Sequence, residues 1–328
     1  MENLKYFPIT KSTLDAMSLG KFILNHYDLP LDSTCELMSR GVNDIYIIKN
    51  KNKSFAARVL RSNSRTEEDL SYEMDLILFY INAGFEAARP IPSKDNKYFI
   101  PILAPEGIRY LTIFNWVDGS LLSDQITKKN INNFGEFIAG MHNVNLGFNC
   151  QKRIKVDSSA YIKKYLPSLV KLINNKEDTL FYEKIALNAC KQLDGLKKDI
   201  LPYGATHADI HFGNVFINKS GDFSLIDWDT CGDDYLFKEL TSFTWLSTYL
   251  DKPSELNEIF MQGYKKIRKP KKAEIELYPL FLCIRHLHVI CGVSKSVNII
   301  GHNILGFNHN LAKYKKMAFE FATNAGLI

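Results

Sequence analysis

The sequence predicts an α+β fold with two lobes, a small N-terminal β-sheet lobe with a helix and a larger, mainly helical C-terminal lobe. The first 117 residues contain several short runs of alternating or β-branched apolar residues, which is the pattern of strands. After Asp118-Gly119 the apolar residues recur mostly at helical spacing. We therefore interpret residues 1–117 as the first lobe and residues 118–328 as the second.

The composition is that of an ordinary soluble globular protein, with 46% hydrophobic and 23% charged residues in a chain of 328. No stretch approaches the roughly 20 apolar residues that a membrane span needs. Residues 1–5 lack the basic-then-apolar order of a signal peptide. We therefore expect a cytoplasmic protein without a membrane partner.

Composition also argues against metal-scaffold and nucleic-acid-binding proteins. The six cysteines are scattered without a C-x-x-C pair, so neither a zinc site nor a disulfide framework is indicated. The densest basic run, residues 265–272, lacks the interleaved aromatic residues that stack on bases. We interpret it as a solvated loop between helices and expect no nucleic-acid partner.

The first lobe is predicted to begin with a helix over residues 12–27. Ser12 and Asp15 open this helix in an arrangement that resembles a capping box. Two strands follow at residues 45–48 and 55–60, and the polar turn between them predicts a hairpin.

A second helix is predicted over residues 66–83, where apolar residues stand at helical spacing and Gly84 ends the pattern. Two more strands are expected at residues 98–103 and 110–116. In the second lobe, helical spacing predicts helices over residues 130–143, 160–174 and 179–196.

The residues that indicate chemistry lie in one loop and the hairpin that follows it. Asp209 is followed five residues later by Asn214, and Asp227 stands at the far end of the hairpin. Phosphoryl transfer from ATP needs a carboxylate that orients the acceptor hydroxyl and takes its proton, and hard oxygen ligands for Mg²⁺. Asp209 fits the base, whereas Asn214 and Asp227 fit the metal ligands because the hairpin turn brings the second acid back.

This stretch resembles a known family. The pattern His207-x-Asp209-x-x-x-x-Asn214 repeats the H-x-D-x-x-x-x-N catalytic loop of kinases. Together with Ile-Asp-Trp-Asp at residues 226–229, it resembles the aminoglycoside phosphotransferase and choline kinase superfamily, nearest its homoserine-kinase-type and stress-response-kinase branch. The resemblance covers about residues 35–290 and implies a bilobal protein-kinase-like fold that uses ATP and Mg²⁺.

Other polar residues of this stretch have two interpretations each. We expect His207 to brace the loop by hydrogen bonding rather than to carry a proton. The resemblance places His211 near phosphate or substrate, and structural packing is equally open for it. For Asp229 we expect a backbone or basic partner rather than a metal ion.

In the first lobe, residues 39–44 stand where kinases have the hairpin loop that covers the phosphates. Arg58 stands where they have the lysine that binds the α- and β-phosphates, and an arginine can bind phosphate bidentately. Glu73 is expected to pair with Arg58, unless it is a solvated helix residue. Residues around Trp116 and Val117 resemble the hinge between the lobes, whose backbone would bind adenine, although Trp116 could equally belong to the core.

The C-terminal pattern provides candidates for the acceptor pocket. The helical run at residues 278–291 resembles the homoserine-kinase-type branch. Arg285 and His288 would share one face of this helix, since they are three residues apart. That face lines the acceptor pocket in one interpretation, and in the other both residues belong to the core or the surface.

The segment after Asp227 favours a small acceptor. Only about ten residues separate Asp227 from the helix expected at Phe237, and no A-P-E motif follows, so a platform for peptides is hard to build. A small enclosed pocket fits better. Residues 251–328 contain 12 Lys and Arg against 6 Asp and Glu, which argues weakly against a polycationic acceptor.

The sequence therefore predicts an ATP-dependent kinase of a small-molecule hydroxyl acceptor, such as an amino alcohol, a sugar or an antibiotic. Two alternatives remain open. A protein Ser/Thr kinase of the stress-response type shares this catalytic loop. A catalytically inactive nucleotide-binding scaffold is suggested by Arg58 in the lysine position. The oligomeric state is left open between a monomer and a dimer.

Overall fold

A computed structural model of the protein describes residues 7–173, 175–197, 200–300 and 307–328. Residues 1–5 and residue 174, at the end of one predicted helix, lie outside the described residues. Within the described residues, the chain forms two compact units. The first consists of the chain up to Gly119 with Cys150–Lys152 and Asn218–Asp229, and the second of Ser120–Asn149, Arg153–Ile217 and Thr230–Ile328.

The first unit contains the main β-sheet and the second is mainly helical, which confirms the predicted α+β fold class. The lobes predicted from the sequence follow chain order, whereas the first compact unit also includes two later segments. In chain order, the helices and strands of the described residues are α1 (Ala16–His26), β1 (Thr34–Arg40), β2 (Asp44–Lys49), β3 (Ser54–Val59), α2 (Glu67–Asn82), β4 (Glu86–Ala87), β5 (Pro90–Ile91), β6 (Ile100–Ala104), β7 (Gly107–Asn115), β8 (Ser120–Leu121), α3 (Lys128–Val144), α4 (Ser158–Ile173), α5 (Lys176–Asp194), β9 (Tyr203–Thr206), β10 (Val215–Ile217), β11 (Phe223–Leu225), β12 (Gly232–Tyr235), α6 (Leu236–Glu239), α7 (Thr241–Tyr249), α8 (Glu255–Ile267), α9 (Lys272–Ile300) and α10 (Phe307–Asn324).

The sheet of the first unit is antiparallel, with strand order β1-β2-β3-β7-β5 and with β6 paired to β7. The hairpin predicted from alternating residues is observed as β2 and β3. Successive side chains of a strand point to opposite faces, so Tyr46 and Ile48 of β2 both enter the core, where they pack with Ile23 of α1. Asp44 is buried on the same face and lies 2.8 Å from Nη2 of Arg109, which is also buried.

The first helix begins later than predicted. α1 starts at Ala16, and Asp15 is its N-cap, because the Asp15 carboxylate accepts a hydrogen bond of 2.8 Å from the backbone N–H of Ser18. The hydroxyl of Ser12 donates instead to Oε2 of Glu106 at 2.7 Å. The predicted start at Ser12 is therefore wrong, since that side chain is engaged in a tertiary contact.

The second helix agrees with its prediction. Thr66 and Asp69 form a capping box at the start of α2, in which each side chain bonds the other's backbone N–H. After the C-cap, Gly84 has a φ of 91°, a left-handed conformation that glycine adopts without steric cost.

The second unit is built around α9. This helix packs against α4, α5, α7 and α10, and its buried apolar residues share one core with theirs. Two short antiparallel pairs, β8 with β10 and β9 with β12, lie in the same unit. β9 ends at Thr206, so this pair leads directly into the loop that contains Asp209.

α9 also passes a length and composition test for a membrane span. Residues Lys272–Val297 have a mean hydropathy of 1.4 over their most apolar window, although charged residues interrupt the apolar run. Half of that window is buried inside the protein. The packing against four helices is that of a core helix in a folded domain.

Two glycines allow α3 and α8 to approach each other closely. A Cβ atom at Gly135 would lie 2.1 Å from the backbone oxygen of Phe260, and one at Gly263 would lie 1.9 Å from that of Asn132. No real Cβ occupies such a position, so each helix presents a glycine to the backbone of the other. Farther along the same interface, Nδ1 of His142 on α3 lies 2.8 Å from the hydroxyl of Tyr264 on α8.

Candidate active site

The loop that follows β9 has an unusual backbone. Ala208 has a φ of 65°, in the left-handed region that residues other than glycine seldom adopt. The Ala208 N–H donates to Oε1 of Glu239 at 2.8 Å, and the hydroxyl of Thr230 donates to the carbonyl of His207 at 3.2 Å. The Asp209 N–H donates to Nδ1 of His207 at 3.3 Å, so His207 braces the loop, as the sequence predicts.

The loop presents the Asp209 carboxylate to three side chains. Arg285 of α9 forms an ion pair with Oδ1 and donates to the carbonyl of Ala208 at 3.2 Å. Nδ2 of Asn214 donates to the Asp209 carbonyl at 3.0 Å and to Oδ2 at 3.2 Å. Nε2 of His211 lies 3.5 Å from Oδ2. The carboxylate is thus oriented from both sides by this chain's own residues.

Electrostatics keep Asp209 ionised. Burial raises the pKa of the Asp209 carboxyl, but the Arg285 charge and the hydrogen bond from His211 outweigh burial, so the pKa lies well below its usual range. The side chain is still 25% exposed, so a ligand can reach it. Such a group is a strongly oriented hydrogen-bond acceptor at neutral pH.

The geometry of Asn214 is compatible with the predicted metal-ligand role. The side-chain nitrogen is used by Asp209, and the backbone N–H donates to the carbonyl of His211 at 2.9 Å. Among the described residues, the side-chain oxygen accepts no hydrogen bond. That oxygen is the atom that a hard cation would use.

Arg285 and His288 do share a face of α9, and the structure brings both toward the loop. Arg285 contacts Asp209 directly. The His288 ring stacks on Tyr161 of α4, with centroids 4.2 Å apart and planes 7° apart. Burial and the positive charges of Arg285 and Lys238 lower the pKa of His288 to about 3, so its ring is neutral at physiological pH.

A buried polar chain supports the loop, and sequence reasoning missed it. Oε2 of Glu239 lies 2.6 Å from Nε2 of His142, whose Nδ1 lies 2.8 Å from the hydroxyl of Tyr264. Arg268 donates to that hydroxyl at 2.8 Å and pairs with Glu274 at 2.8 Å. The sequence does contain an indication of this chain, because His142 and Glu239 interrupt apolar helix faces. A buried polar residue needs a hydrogen-bond partner.

In the first unit, the structure brings Arg58 and Glu73 together. Nη2 of Arg58 lies 2.7 Å from Oε1 of Glu73, and both side chains are buried. Nε donates to the Thr112 hydroxyl at 3.3 Å, and the guanidinium lies 5.2 Å from the ring centroid of Phe114. Burial lowers the pKa of the Arg58 guanidinium. The negative charge of Glu73, and to a smaller extent that of Asp229, outweighs this effect and raises the pKa above its usual value.

The Arg58 contact leaves hydrogen-bonding capacity unused. Glu73 and the Thr112 hydroxyl engage only part of the guanidinium, which has five N–H donors in a planar fork. The remaining donors fit a phosphate oxygen.

The two acids after β11 have different surroundings within the first unit. Asp227 has a φ of 61°, a left-handed conformation. Oδ2 of Asp229 accepts a hydrogen bond of 2.8 Å from the side chain of Asn43, in the loop between β1 and β2. Asp229 thus bonds a neutral amide of the predicted phosphate-covering loop, and its charge also acts on the basic group of Arg58.

The residues predicted to bind adenine and the metal ion have known positions, and their roles stay predictions. Trp116 and Val117 follow the end of β7 and are half-buried. Asn214 belongs to the second unit and Asp227 to the first, so their joint role as metal ligands stays a prediction. Within the described ranges, no group of three or more His, Cys, Asp or Glu side chains is arranged to bind a metal ion on its own.

Solved structures show the same fold. Amicoumacin kinase hAmiN, in complex with AMP-PNP, Ca²⁺ and Ami, has a TM-score of 0.76 at 18% identity and covers 93% of both chains. The microcompartment-associated aminopropanol kinase has a TM-score of 0.72 at 17% identity and covers 94% of both chains. The chain therefore has a protein-kinase-like fold.

Sequence comparison identifies the family. The profile of the phosphotransferase enzyme family, APH, matches residues 35–278, and the chain belongs to this family. Amicoumacin kinase of Bacillus subtilis strain 168 is 23% identical over an alignment of 305 positions, and the alignment covers 85% of this chain and 88% of that protein. The predicted resemblance and the prediction of a phosphotransferase enzyme are confirmed.

Proposed function

We propose that this protein transfers the γ-phosphoryl group of ATP to a hydroxyl of a small molecule, with Asp209 as the base. The observation that carries the proposal is the Asp209 carboxylate, ionised and oriented by Arg285 and Asn214 on a strained turn. The protein-kinase-like relatives named above act, by their names, on amicoumacin and on aminopropanol, which supports a small-molecule acceptor.

The chemistry assigns a balanced step to Asp209. Its carboxylate accepts a hydrogen bond from the acceptor hydroxyl and fixes the oxygen for attack on the γ-phosphorus. As the new O–P bond forms, the bond between the γ-phosphorus and the bridging oxygen of ADP breaks, and the hydroxyl proton passes to Asp209. Because Arg285 lowers the pKa of Asp209, the carboxylate acts first by orientation and takes the proton only as the O–P bond forms.

Arg58 is proposed to bind the α- and β-phosphates of ATP. Glu73 and the Thr112 hydroxyl fix its guanidinium and engage only part of its five N–H donors, so donors remain for phosphate oxygens. Trp116 and Val117 are proposed to contact adenine.

Asn214 and Asp227 are proposed to bind Mg²⁺. The free side-chain oxygen of Asn214 and the carboxylate of Asp227 are hard ligands, and Mg²⁺ commonly takes its remaining ligands from phosphates and water. Bound there, the ion would neutralise charge on the triphosphate. The complex of hAmiN with AMP-PNP and Ca²⁺ supports nucleotide and divalent-cation use in this fold.

The test is ATP consumption by the full chain against a panel of amino alcohols, sugars, choline-like compounds and antibiotics, with Mg²⁺ present. We expect acceptor-dependent turnover that Asp209→Asn lowers by at least about 10²-fold while ATP affinity stays nearly unchanged. Asp95 is exposed, so Asp95→Asn makes the same chemical change away from the site and serves as the matched control.

Three results would redirect the proposal. Near-normal turnover in Asp209→Asn would remove that residue from the base role. Phosphate transfer to proteins but to no small molecule would favour the stress-response type of protein kinase. ATP binding without any turnover would favour the scaffold.

A further inference from the structure

The Asp209 contact lies at one end of a polar face of α9. Arg285, His288, Gly292 and Lys295 are separated by three, four and three residues, so they lie on one side of the helix. At a rise of 1.5 Å per residue, this face extends about 15 Å from Arg285 to Lys295. It therefore leads away from the carboxylate that is proposed to bind the acceptor hydroxyl.

α4 provides the other wall of this face. The Tyr161 ring stacks on His288 with centroids 4.2 Å apart, and Nζ of Lys295 lies 5.9 Å from the Tyr161 centroid and 4.8 Å from that of Tyr165. Gly292 leaves room for Tyr161, since a Cβ there would lie 3.2 Å from the tyrosine hydroxyl. We call Tyr161, Tyr165, His288 and Lys295 the α4–α9 patch.

Within the described ranges, the two lysines at the patch have no acidic partner. Nζ of Lys164 also lies 5.3 Å from the Tyr165 ring centroid. In the described part of the chain, neither Lys164 nor Lys295 has a carboxylate partner. Four carboxylates of the same unit are paired with other cations: Asp157 with Lys155, Asp194 with Lys163, Asp209 with Arg285, and Asp234 with Lys238.

The sequence adds an independent constraint. Between Glu276 and Glu320 there is no aspartate or glutamate. The residues in that stretch that the structure does not describe therefore cannot supply a carboxylate to Lys295. Burial raises the pKa of Tyr165, but hydrogen bonding and charge from Lys295 outweigh it and lower the pKa, which agrees with a locally positive field.

Resting on the proposed function, we infer that the acceptor carries an acidic group, a carboxylate or a phosphate, which the α4–α9 patch binds while Asp209 takes the hydroxyl. The Lys295 ammonium has three donors, and no carboxylate of the described residues pairs with it. The neutral His288 ring and the Tyr165 hydroxyl add uncharged partners for an anionic oxygen. A polycationic acceptor would meet two uncompensated cations here.

The binding test is separate from turnover. Glycerate and glycerol 3-phosphate are titrated by calorimetry into the full chain with Mg²⁺ and ADP, beside glycerol and 1-amino-2-propanol, which lack the acidic group. We expect the acids to bind more tightly than their partners. Lys295→Gln should weaken acid binding by about tenfold or more, because a charge-assisted hydrogen bond is lost. Lys184→Gln, on an exposed part of α5, should have no effect.

A kinetic test uses the acceptors that are phosphorylated. Acidic members should be preferred over neutral or cationic partners. Lys295→Gln should raise KM for an acid with little change in kcat, because the patch binds a group remote from the reacting atoms. Preference for glycerate over glycerol 3-phosphate would identify the acidic group as a carboxylate. The opposite preference would identify it as a phosphate.

The inference fails if no acid binds, if Lys295→Gln and Lys184→Gln bind acids equally well, or if neutral and cationic acceptors are preferred. Turnover with a neutral or cationic acceptor together with no acid binding would overturn the acidic acceptor and leave the kinase intact. Lys295-dependent acid binding without transfer to any acceptor would preserve the anion site and overturn the kinase.

Discussion

At the scale of single residues, Arg58 is the point where this chain departs from the lysine of the kinase pattern. Its guanidinium is buried with Glu73, and breaking a buried ion pair by removing one partner costs about 3–5 kcal/mol. We expect Arg58→Ala to lower the free energy of unfolding by an amount in that range. The same change should weaken ATP binding, because the phosphates lose a cation.

Urea unfolding without nucleotide and calorimetric titration with Mg²⁺-ATP would measure the two effects. Arg58→Lys should recover only part of each loss, since an ammonium is a point donor whereas the guanidinium serves Glu73 and phosphate together. Lys51→Ala, in the exposed β2–β3 turn, is the matched loss of a cation. An Arg58→Ala protein as stable as Lys51→Ala would contradict the importance of the buried pair.

The ion pair of Asp209 with Arg285 predicts a dependence of stability on pH. The folded pKa of Asp209 is lowered, whereas the unfolded value is about 3.9, so the folded state binds fewer protons in acid. The contribution is complete above about pH 5 and is lost as the pH falls below 3.9 toward the folded pKa. We expect Asp209→Asn to lose less stability than the wild type between about pH 5 and pH 3.

Urea midpoints at a series of pH values would show this difference in slope. Asp95→Asn removes an exposed aspartate and should keep the wild-type slope. Parallel curves for Asp209→Asn and the wild type would mean that this carboxyl titrates alike in the folded and unfolded protein.

At the scale of elements, the α3–α8 contact depends on glycine. A Cβ at position 263 would lie 1.9 Å from the backbone oxygen of Asn132, so Gly263→Ala must separate the helices. Overpacking of this kind costs about 1–3 kcal/mol, and we expect a loss of that size in the free energy of unfolding. Because Tyr264 and His142 lie in the chain that supports the Asp209 loop, turnover should fall as well.

Chemical denaturation of Gly263→Ala and Gln262→Ala would test the contact. Gln262 is the exposed neighbour on the same helix, and its change to alanine should stay within about 0.5 kcal/mol of the wild type. Equal stability of the two variants would show that the helices can move apart without cost.

At the scale of the whole molecule, ligand binding should stabilise the fold. A ligand that binds only the folded state at 100 times its Kd adds about 2.7 kcal/mol, so Mg²⁺-ATP should raise Tm by several degrees. If Asp227 is a metal ligand, Asp227→Ala should abolish the Mg²⁺-dependent part of this shift. Thermal melts with ATP, with and without Mg²⁺, would measure it.

The surface variant Asp95→Asn should retain the full Mg²⁺-dependent shift. A wild-type shift in Asp227→Ala would remove Asp227 from the metal site. It would leave the Asn214 oxygen as the ligand still to be tested.

Local spacing was sufficient for the residues that lie close together along the chain. Asp209 and Asn214 are five residues apart, and the loop between them determines that they meet, so the motif predicts a contact that the structure contains. The β2–β3 hairpin and α2 were predicted for the same reason. Alternation, helical spacing and capping residues act within one element.

The tertiary structure alone decided the contacts between distant segments. Arg285 reaches Asp209 across 76 residues, and Glu239 reaches Ala208 across 31. Ser12, which the sequence predicted to open α1, bonds instead to Glu106, 94 residues away. Such pairs form because packing brings faces of different elements together, and no local propensity encodes which faces meet. Sequence by itself thus determined the fold class, the family and the local geometry of the loop from Asp209 to Asn214, whereas packing decided which cations and acids surround Asp209.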